Sequence, residues 1–290
     1  MFWQQILNGL STGGIYALIA VGFSLIYSIM RFINLAHGTL IMVGAYIGYL
    51  VVTMAHLSLF PALVVAAAGT AAVSAIVERV AFRPIRVRGV SALYILVSSM
   101  VVSIFLENLV MVIFGPTFRT LPRLVSDAPL LARPINVGRL DFYMMVAAIA
   151  ALLGLSLILY RTKIGRAMRA VSYNPRAAAL MGVNTDVVVS VAFVLAGALA
   201  GMAGVFLGIK YSVYPQLGGL ILKGFVAAVF GGLGSVAGAV LGGIALGIIE
   251  VFLIAYGSSA FSPVLIYGLL VLILLVRPRG LLGQVLEDKA

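Results

Sequence analysis

The chain has no cysteine, one tryptophan, two histidines and only eight acidic residues among its 290. Without cysteine there is no disulfide framework, no thiolate metal site and no cysteine nucleophile. Charged residues make up 9% of the chain, against about 25% in an ordinary soluble domain. No carboxylate pair or histidine cluster has a spacing suited to metal binding or hydrolysis, so no metal site and no enzyme chemistry is expected. There is no Gly-Lys pair, which excludes the phosphate-binding loop G-x-x-x-x-G-K-[ST]. No Lys or Arg precedes Arg31. Residues 1–30 therefore lack the basic start of a cleavable signal peptide and read as a retained first span.

What is present is apolar. Hydrophobic residues reach 63%, and 32 glycines add to them. A folded sphere of this size has too little interior to hide that much apolar surface. The composition is that of an integral membrane protein. The net charge of +11 would suggest nucleic acid in a soluble chain. Here the basic residues sit in short clusters between apolar blocks, with no stacked aromatic and basic face for RNA or DNA.

A helix crosses a bilayer with about 20 mostly apolar residues. The charge-free stretches place spans at about 6–29, 34–55, 60–82, 91–114, 142–160, 187–209, 236–256 and 260–276. Between 187–209 and 236–256 lies a broken element at 219–232. The expectation is an all-α polytopic membrane protein of about eight transmembrane helices plus one short or re-entrant broken element. Alternating the spans puts 13 Lys and Arg on one side, at Arg31, Arg79 to Arg88, Arg161 to Arg176 and the tail from Arg277, against six on the other. The positive-inside rule places the first group in the cytoplasm and the N-terminus outside. No long soluble segment is present, so residues 1–290 read as one transmembrane domain.

Small residues cluster on helical faces. Gly197, Gly201, Gly204 and Gly208 recur every three or four residues, and Gly234, Gly238 and Gly242 follow the same spacing. Such faces let helix backbones approach closely in lipid, for packing within one subunit or for a surface that slides during alternating access. The run Gly231-Gly232-Leu-Gly234-Ser235 after Lys223 exposes backbone, which lipid tolerates only where protein or water covers it. Broken helices of this kind border transport paths; a loop between ordinary spans is the alternative. Intramembrane polar residues are few: Asn34, His37, Glu107, Asn108 and Glu250. Ionisable groups at such depth face a cavity or a partner. If Glu250 faces only lipid-shielded structure, Glu250→Gln preserves transport.

The most informative loop is 161–186. Asn174-Pro175 reads as an N-cap followed by a first helical position, and Gly182 as a left-handed stop. Between them Arg176-Ala177-Ala178-Ala-Leu180-Met181 makes about two turns, too short to be stable alone. Asn184 or Asp186 then caps the next span. A short, capped, apolar helix on the cytoplasmic face suggests a docking knob for a soluble partner; an interfacial helix lying on headgroups is the bland reading.

At these residues the chain resembles the permease subunits of branched-chain amino acid ABC importers, of the LivH type. The reminiscent segments are Asn34-Leu-Ala-His37-Gly38, Glu78-Arg79-Val-Ala-Phe-Arg83-Pro84, Gly165-Arg166-Ala-Met-Arg169-Ala and Leu180-Met181-Gly182-Val-Asn184-Thr-Asp186. Further on come Lys223-Gly-Phe-Val-Ala-Ala-Val-Phe-Gly231-Gly232-Leu-Gly234-Ser235 and Arg277-Pro-Arg-Gly280-Leu-Leu-Gly283. The resemblance implies half of a solute pathway in a bacterial inner membrane, without its own ATPase. The implied partners are a second related permease, two ATP-binding subunits that hold ATP and Mg, and a periplasmic substrate-binding protein. This chain would bind no cofactor. Residues 161–186 become the segment that meets an ATPase, with Arg166, Arg169, Asn174, Pro175, Arg176, Ala177, Ala178, Gly182, Asn184 and Asp186 as its coupling residues. Arg176-Ala177-Ala178 … Gly182 resembles the E-A-A-x-x-x-G loop of ABC permeases with Arg in place of Glu. Glu107 stands where the family suggests an uncharged polar residue. Leu, Ile and Val are the expected substrates; urea, short amides or other amino acids are the substitutes within the family. A proton-coupled secondary transporter using Glu107, Glu250, His37 or Lys223, and a passive channel for a small neutral solute, are the competing classes.

Overall fold

The computed structural model describes residues 2–122, 129–131, 137–257, 259, 261–277 and 280–283. In lipid every backbone N–H and C=O must be satisfied within the chain, so apolar runs of this length become helices. In chain order these are α1 (Phe2–Met30), α2 (Ala36–Met54), α3 (Leu59–Val77), α4 (Arg83–Val87) and α5 (Ala92–Phe114). They continue as α6 (Arg139–Arg161), α7 (Lys163–Tyr173), α8 (Pro175–Leu180), α9 (Thr185–Tyr211), α10 (Ile221–Gly231), α11 (Val236–Tyr256) and α12 (Ser262–Val276). A two-stranded ribbon pairs Pro129–Leu131 with Val137–Gly138. Seven helical stretches among the described residues are long and apolar enough to cross a membrane. The protein is an all-α polytopic membrane protein.

Three boundaries differ from the sequence expectation. The third span does not end near residue 82. A π-helical turn at Glu78–Phe82 carries α3 directly into α4, so Arg83 and Arg86 ride on helix rather than in a loop. The broken element begins earlier, as a 3-10 turn at Pro215–Leu220 that runs into the 11-residue α10. The last helix has 15 residues, about 22 Å at a rise of 1.5 Å per residue, shorter than the ~30 Å hydrocarbon core.

The chain forms two compact units. The first comprises residues 1–25, 126–149 and 222–290. Its centre is the middle of α1, where Ile15 to Val21 are at most 1% exposed. Glycines bring α1 and α11 together in antiparallel order. A Cβ on Gly13 would stand 2.8 Å from the Ile244 Cα, and Gly9 meets Ile248 in the same way. From the other side Gly243 lies against Ala17 and Gly247 against Gly13. Gly224 of α10 packs on Ile19, and Gly231 of α10 packs on Gly238 of α11. The tail completes the unit. Leu281 N–H donates to Phe230 O and Leu282 N–H to Gly231 O, both at 2.9 Å. These bonds satisfy the last carbonyls of α10, which no helical residue can reach.

The second unit comprises residues 26–125 and 150–221, with α2, α3 and α9 at its core. A Cβ on Gly44 of α2 would lie 2.5 Å from the Gly201 Cα of α9. Ser74 Oγ of α3 donates to Phe193 O of α9 at 2.7 Å. Phe82 packs between Phe32, edge-on, and Phe193, tilted, with ring centroids 6.0 and 5.4 Å away. On α5, by contrast, Val97, Val101, Ile104 and Val112 are exposed, an arrangement suited to contact with lipid.

Candidate functional site

The segment between α6 and α9 is built from consecutive caps. Thr162 Oγ1 donates to Ile158 O at 2.6 Å and accepts the Gly165 N–H at 3.1 Å, ending α6 and opening α7. The bare Cα of Gly165 lies against the carbonyls of Ile158 and Leu159, so any side chain there would strike the last turn of α6. The Arg169 guanidinium donates to Leu159 O and stacks over Tyr160 at 5.2 Å, placing positive charge at a helix C-terminus. The far end of α7 is fastened to the end of α1. Ser172 Oγ donates to Ser28 O at 2.9 Å, and Arg31 Nη2 donates to Ser172 O at 2.8 Å.

Asn174 closes α7 and opens α8. Its backbone N–H donates to Ala170 O, and its Oδ1 accepts the Ala177 N–H at 3.0 Å, with Pro175 at the first helical position. At the other end Gly182 has φ +83°. Val183 N–H donates to Ala178 O and Gly182 N–H to Ala179 O, both at 3.0 Å, the paired bonds of a Schellman stop. Asn184, not Asp186, caps α9, its Oδ1 accepting the N–H groups of Asp186 and Val187. Ala178 is the buried residue of the short helix, whereas Arg166, Asn174, Pro175, Arg176 and Ala177 are exposed. Leu180 and Met181 stand 89% and 85% exposed at the tip. The caps at both ends of α8 hold this apolar pair out from the rest of the chain.

Asp186 belongs to an ion network that sequence reasoning missed. Its two carboxylate oxygens meet Arg86 Nη2 at 2.8 Å and Arg83 Nη2 at 3.4 Å. Arg86 Nη1 reaches Glu78 Oε1 at 3.0 Å, and Ser190 Oγ donates to Glu78 Oε2 at 2.8 Å. The Glu78 side chain is 1% exposed.

Of the intramembrane residues, the structure joins two. Lys223 Nζ contacts Glu250 Oε1 at 2.5 Å, and Tyr16 OH donates to Glu250 Oε2 at 2.6 Å. Lys223 also lies 5.8 Å from the Tyr16 ring centroid. Asn34 and His37 are buried at the start of α2, where Asn34 Oδ1 accepts the Ala36 N–H at 3.2 Å. Glu107 is half-buried on α5, and among the described residues no hydrogen bond or ion pair reaches it. Its neighbour Asn108 is exposed and bonds back to Ile104 O at 2.8 Å. No group of three His, Asp or Glu among the described residues is placed to hold a metal.

The α9 glycines meet neighbouring helices. Gly197 packs on Ser74, Gly201 on Ala66 and Gly44, Gly204 on Ile41 and Ala45, and Gly208 on Val213. Gly238 and Gly242 face α10 at Gly231 and Ala227. Gly234 does not share their face, a correction to the expected continuous stripe. It sits in the turn before α11 with φ +87° and donates its N–H to Ser24 Oγ at 2.9 Å. The turn forms because Ser235 is the N-cap of α11, accepting the Gly238 N–H.

These features define a class: a multi-pass membrane subunit with a rigid knob between two of its spans. Residues 5–274 match the family described as the branched-chain amino acid transport system permease component. The chain is 37% identical over 297 residues to the high-affinity branched-chain amino acid transport system permease protein BraD of Pseudomonas aeruginosa, covering 98% of this chain and 96% of that one. It is 36% identical to the corresponding permease protein LivH of Escherichia coli K12, with the same coverage. In fold it is similar to PsaBC from Streptococcus pneumoniae in complex with Fab, with a TM-score of 0.50 at 12% identity, covering 94% of this chain and 91% of that one. The chain belongs to the family of branched-chain amino acid transport permease components.

Proposed function

We propose that this chain is half of the membrane pathway of an ATP-driven importer that carries Leu, Ile and Val across the bacterial inner membrane. Its partners are a second related permease, two ATP-binding subunits and a periplasmic substrate-binding protein. ATP and Mg bind on the ATP-binding subunits, since no phosphate-binding loop exists in this sequence. Family membership supports the substrate class, and a charge-poor set of spans suits a zwitterion better than a polyanion.

The observation that carries the reading is the projecting tip of α8. Leu180 and Met181 are almost wholly exposed on a helix whose both ends are locked by caps. A surface of that shape suits a groove on a soluble ATPase, with Arg176 exposed alongside it. A proton relay is less compatible with the Glu250 environment. Both Glu250 oxygens already hold a donor, so protonation there would break a buried ion pair.

The test is co-purification. Leu180→Asp with Met181→Asp is expected to abolish recovery of the ATP-binding subunits while the chain still inserts in the membrane. Full recovery with that variant would contradict the docking role of α8.

A further inference from the structure

We propose that the Glu78–Arg86–Asp186 network is the positioning device that transmits displacement of α8 to α3, with the π turn at Glu78–Phe82 as the point that yields. The proposal rests on the reading of α8 as the ATPase contact and goes beyond it by naming the residues through which that contact reaches the spans.

The chain between the knob and the network has little freedom. From Leu180 the backbone passes through the Val183 to Ala178 bond, then the Asn184 cap, and enters α9 at Thr185. Asp186 is the second residue of that helix. A force on Leu180 therefore displaces Asp186 rather than being absorbed in a loop.

Helix α9 grips both sides of the π turn. On the near side Ser190 Oγ holds Glu78, the first residue of the turn. On the far side Asp186 holds Arg83 and Arg86, both on α4. Arg86 closes the loop by bridging from Asp186 back to Glu78, using different guanidinium nitrogens for the two carboxylates. A π turn has one residue more than an α turn in each hydrogen-bonded ring, and such bulges mark places where a helix changes register. Here the bulge lies between two grips of one helix, and that helix is the one joined to the knob.

The chemistry suits a switch better than a static seam. A carboxylate as enclosed as Glu78 is costly to bury, and an apolar pair of equal volume would hold two helices at least as firmly. Ion pairs can exchange partners in discrete steps, which gives a packed interface two arrangements. The planar fork of Arg86 can serve two carboxylates at once, which a lysine ammonium cannot do with fixed geometry.

The experiment uses the complete importer in proteoliposomes and compares Arg86→Gln, Ser190→Ala and Ser190→Thr with the unaltered chain. Three quantities are read: recovery of ATP-binding subunits, basal ATP hydrolysis, and its stimulation by leucine-loaded binding protein. The expected result is unchanged recovery and basal hydrolysis, with stimulation reduced about tenfold in Arg86→Gln and Ser190→Ala, within the range of inter-site couplings. Ser190→Thr keeps the hydroxyl and restores stimulation. Ser190→Ala leaves the Glu78–Arg86 and Arg86–Asp186 pairs intact and carries the test if Arg86→Gln does not insert. Stimulation at the unaltered level in Ser190→Ala overturns the proposal, as does loss of all three quantities together in both Ser190 variants. Failure of the unaltered chain to recruit any ATPase overturns the importer reading itself.

Discussion

Lys223 and Glu250 form an ion pair at 2.5 Å inside the apolar body of the first unit, and Tyr16 seals the second carboxylate oxygen. The pair ties the short α10 to α11, while Tyr16 adds α1. It gives each of these two charges an opposite partner within the unit.

This pairing gives Glu250→Gln a cost in stability, separate from its effect on transport. The substitution leaves the Lys223 ammonium without its counter-charge, and removing one partner of a buried pair costs about 3–5 kcal/mol. Glu250→Gln is expected to lower the thermal unfolding midpoint of the purified protein markedly. Lys223→Met combined with Glu250→Leu is expected to recover it. An unchanged midpoint in Glu250→Gln would mean that the pair contributes nothing to the folded state.

Gly182→Val should uncouple transport without preventing insertion. The residue has φ +83°, and no atom crowds the space where a Cβ would stand, so backbone strain is the only obstacle. A left-handed L-residue costs roughly 1–2 kcal/mol, and a branched one more. That is enough to open the stop of a two-turn helix. Uptake and ATPase recovery should both fall while membrane yield stays unchanged; normal values for both would contradict the account.

Helix packing makes a contrast between two glycines. At Gly201 a Cβ would lie 2.5 Å from Ala66 O, while at Gly154 nothing lies within 4 Å. Gly201→Val should destabilise the protein by at least the ~1–3 kcal/mol typical of overpacking. Gly154→Ala should be tolerated. Equal unfolding midpoints for the two variants would show that the α9 face has room to spare.

The tail offers a further check. A Cβ on Gly280 would come within 2.5 Å of Val229 O, pushing Leu281 and Leu282 off the end of α10. Gly280→Ala is expected to speed amide exchange at Leu281 and Leu282 by at least tenfold, relative to unchanged exchange in the middle of α11. Unaltered exchange at the tail would show that these bonds do not depend on the close approach.

Sequence reading located the spans because lipid leaves a long apolar run few alternatives to helix. It also located α8, because Asn174-Pro175 and Gly182 act through local backbone geometry that neighbours hardly alter. It missed α7, where Lys163, Arg166 and Arg169 resemble a polar loop and Gly165 resembles a breaker. Gly165 is instead required by the carbonyls of α6, a tertiary fact. It ended the third span near residue 82 because three arginines and a proline follow, whereas Pro84 sits at the start of α4 and forbids nothing. The Glu78–Arg86–Asp186 network was out of reach for the same reason. Its members lie 100 or more residues apart on one leg, and no local pattern pairs them. The projection of Leu180 and Met181 was half legible: both belong to the expected apolar turn, but only the packing of Ala178 shows which way they point.

The most direct measurement is radiolabelled leucine uptake into proteoliposomes holding this chain, its second permease and the ATP-binding subunits. Binding protein is placed on the side it would occupy in the periplasm. The account predicts uptake that requires ATP and every partner and that unlabelled isoleucine and valine suppress. Leucine uptake by this chain alone, driven by a proton gradient without ATP, would contradict it.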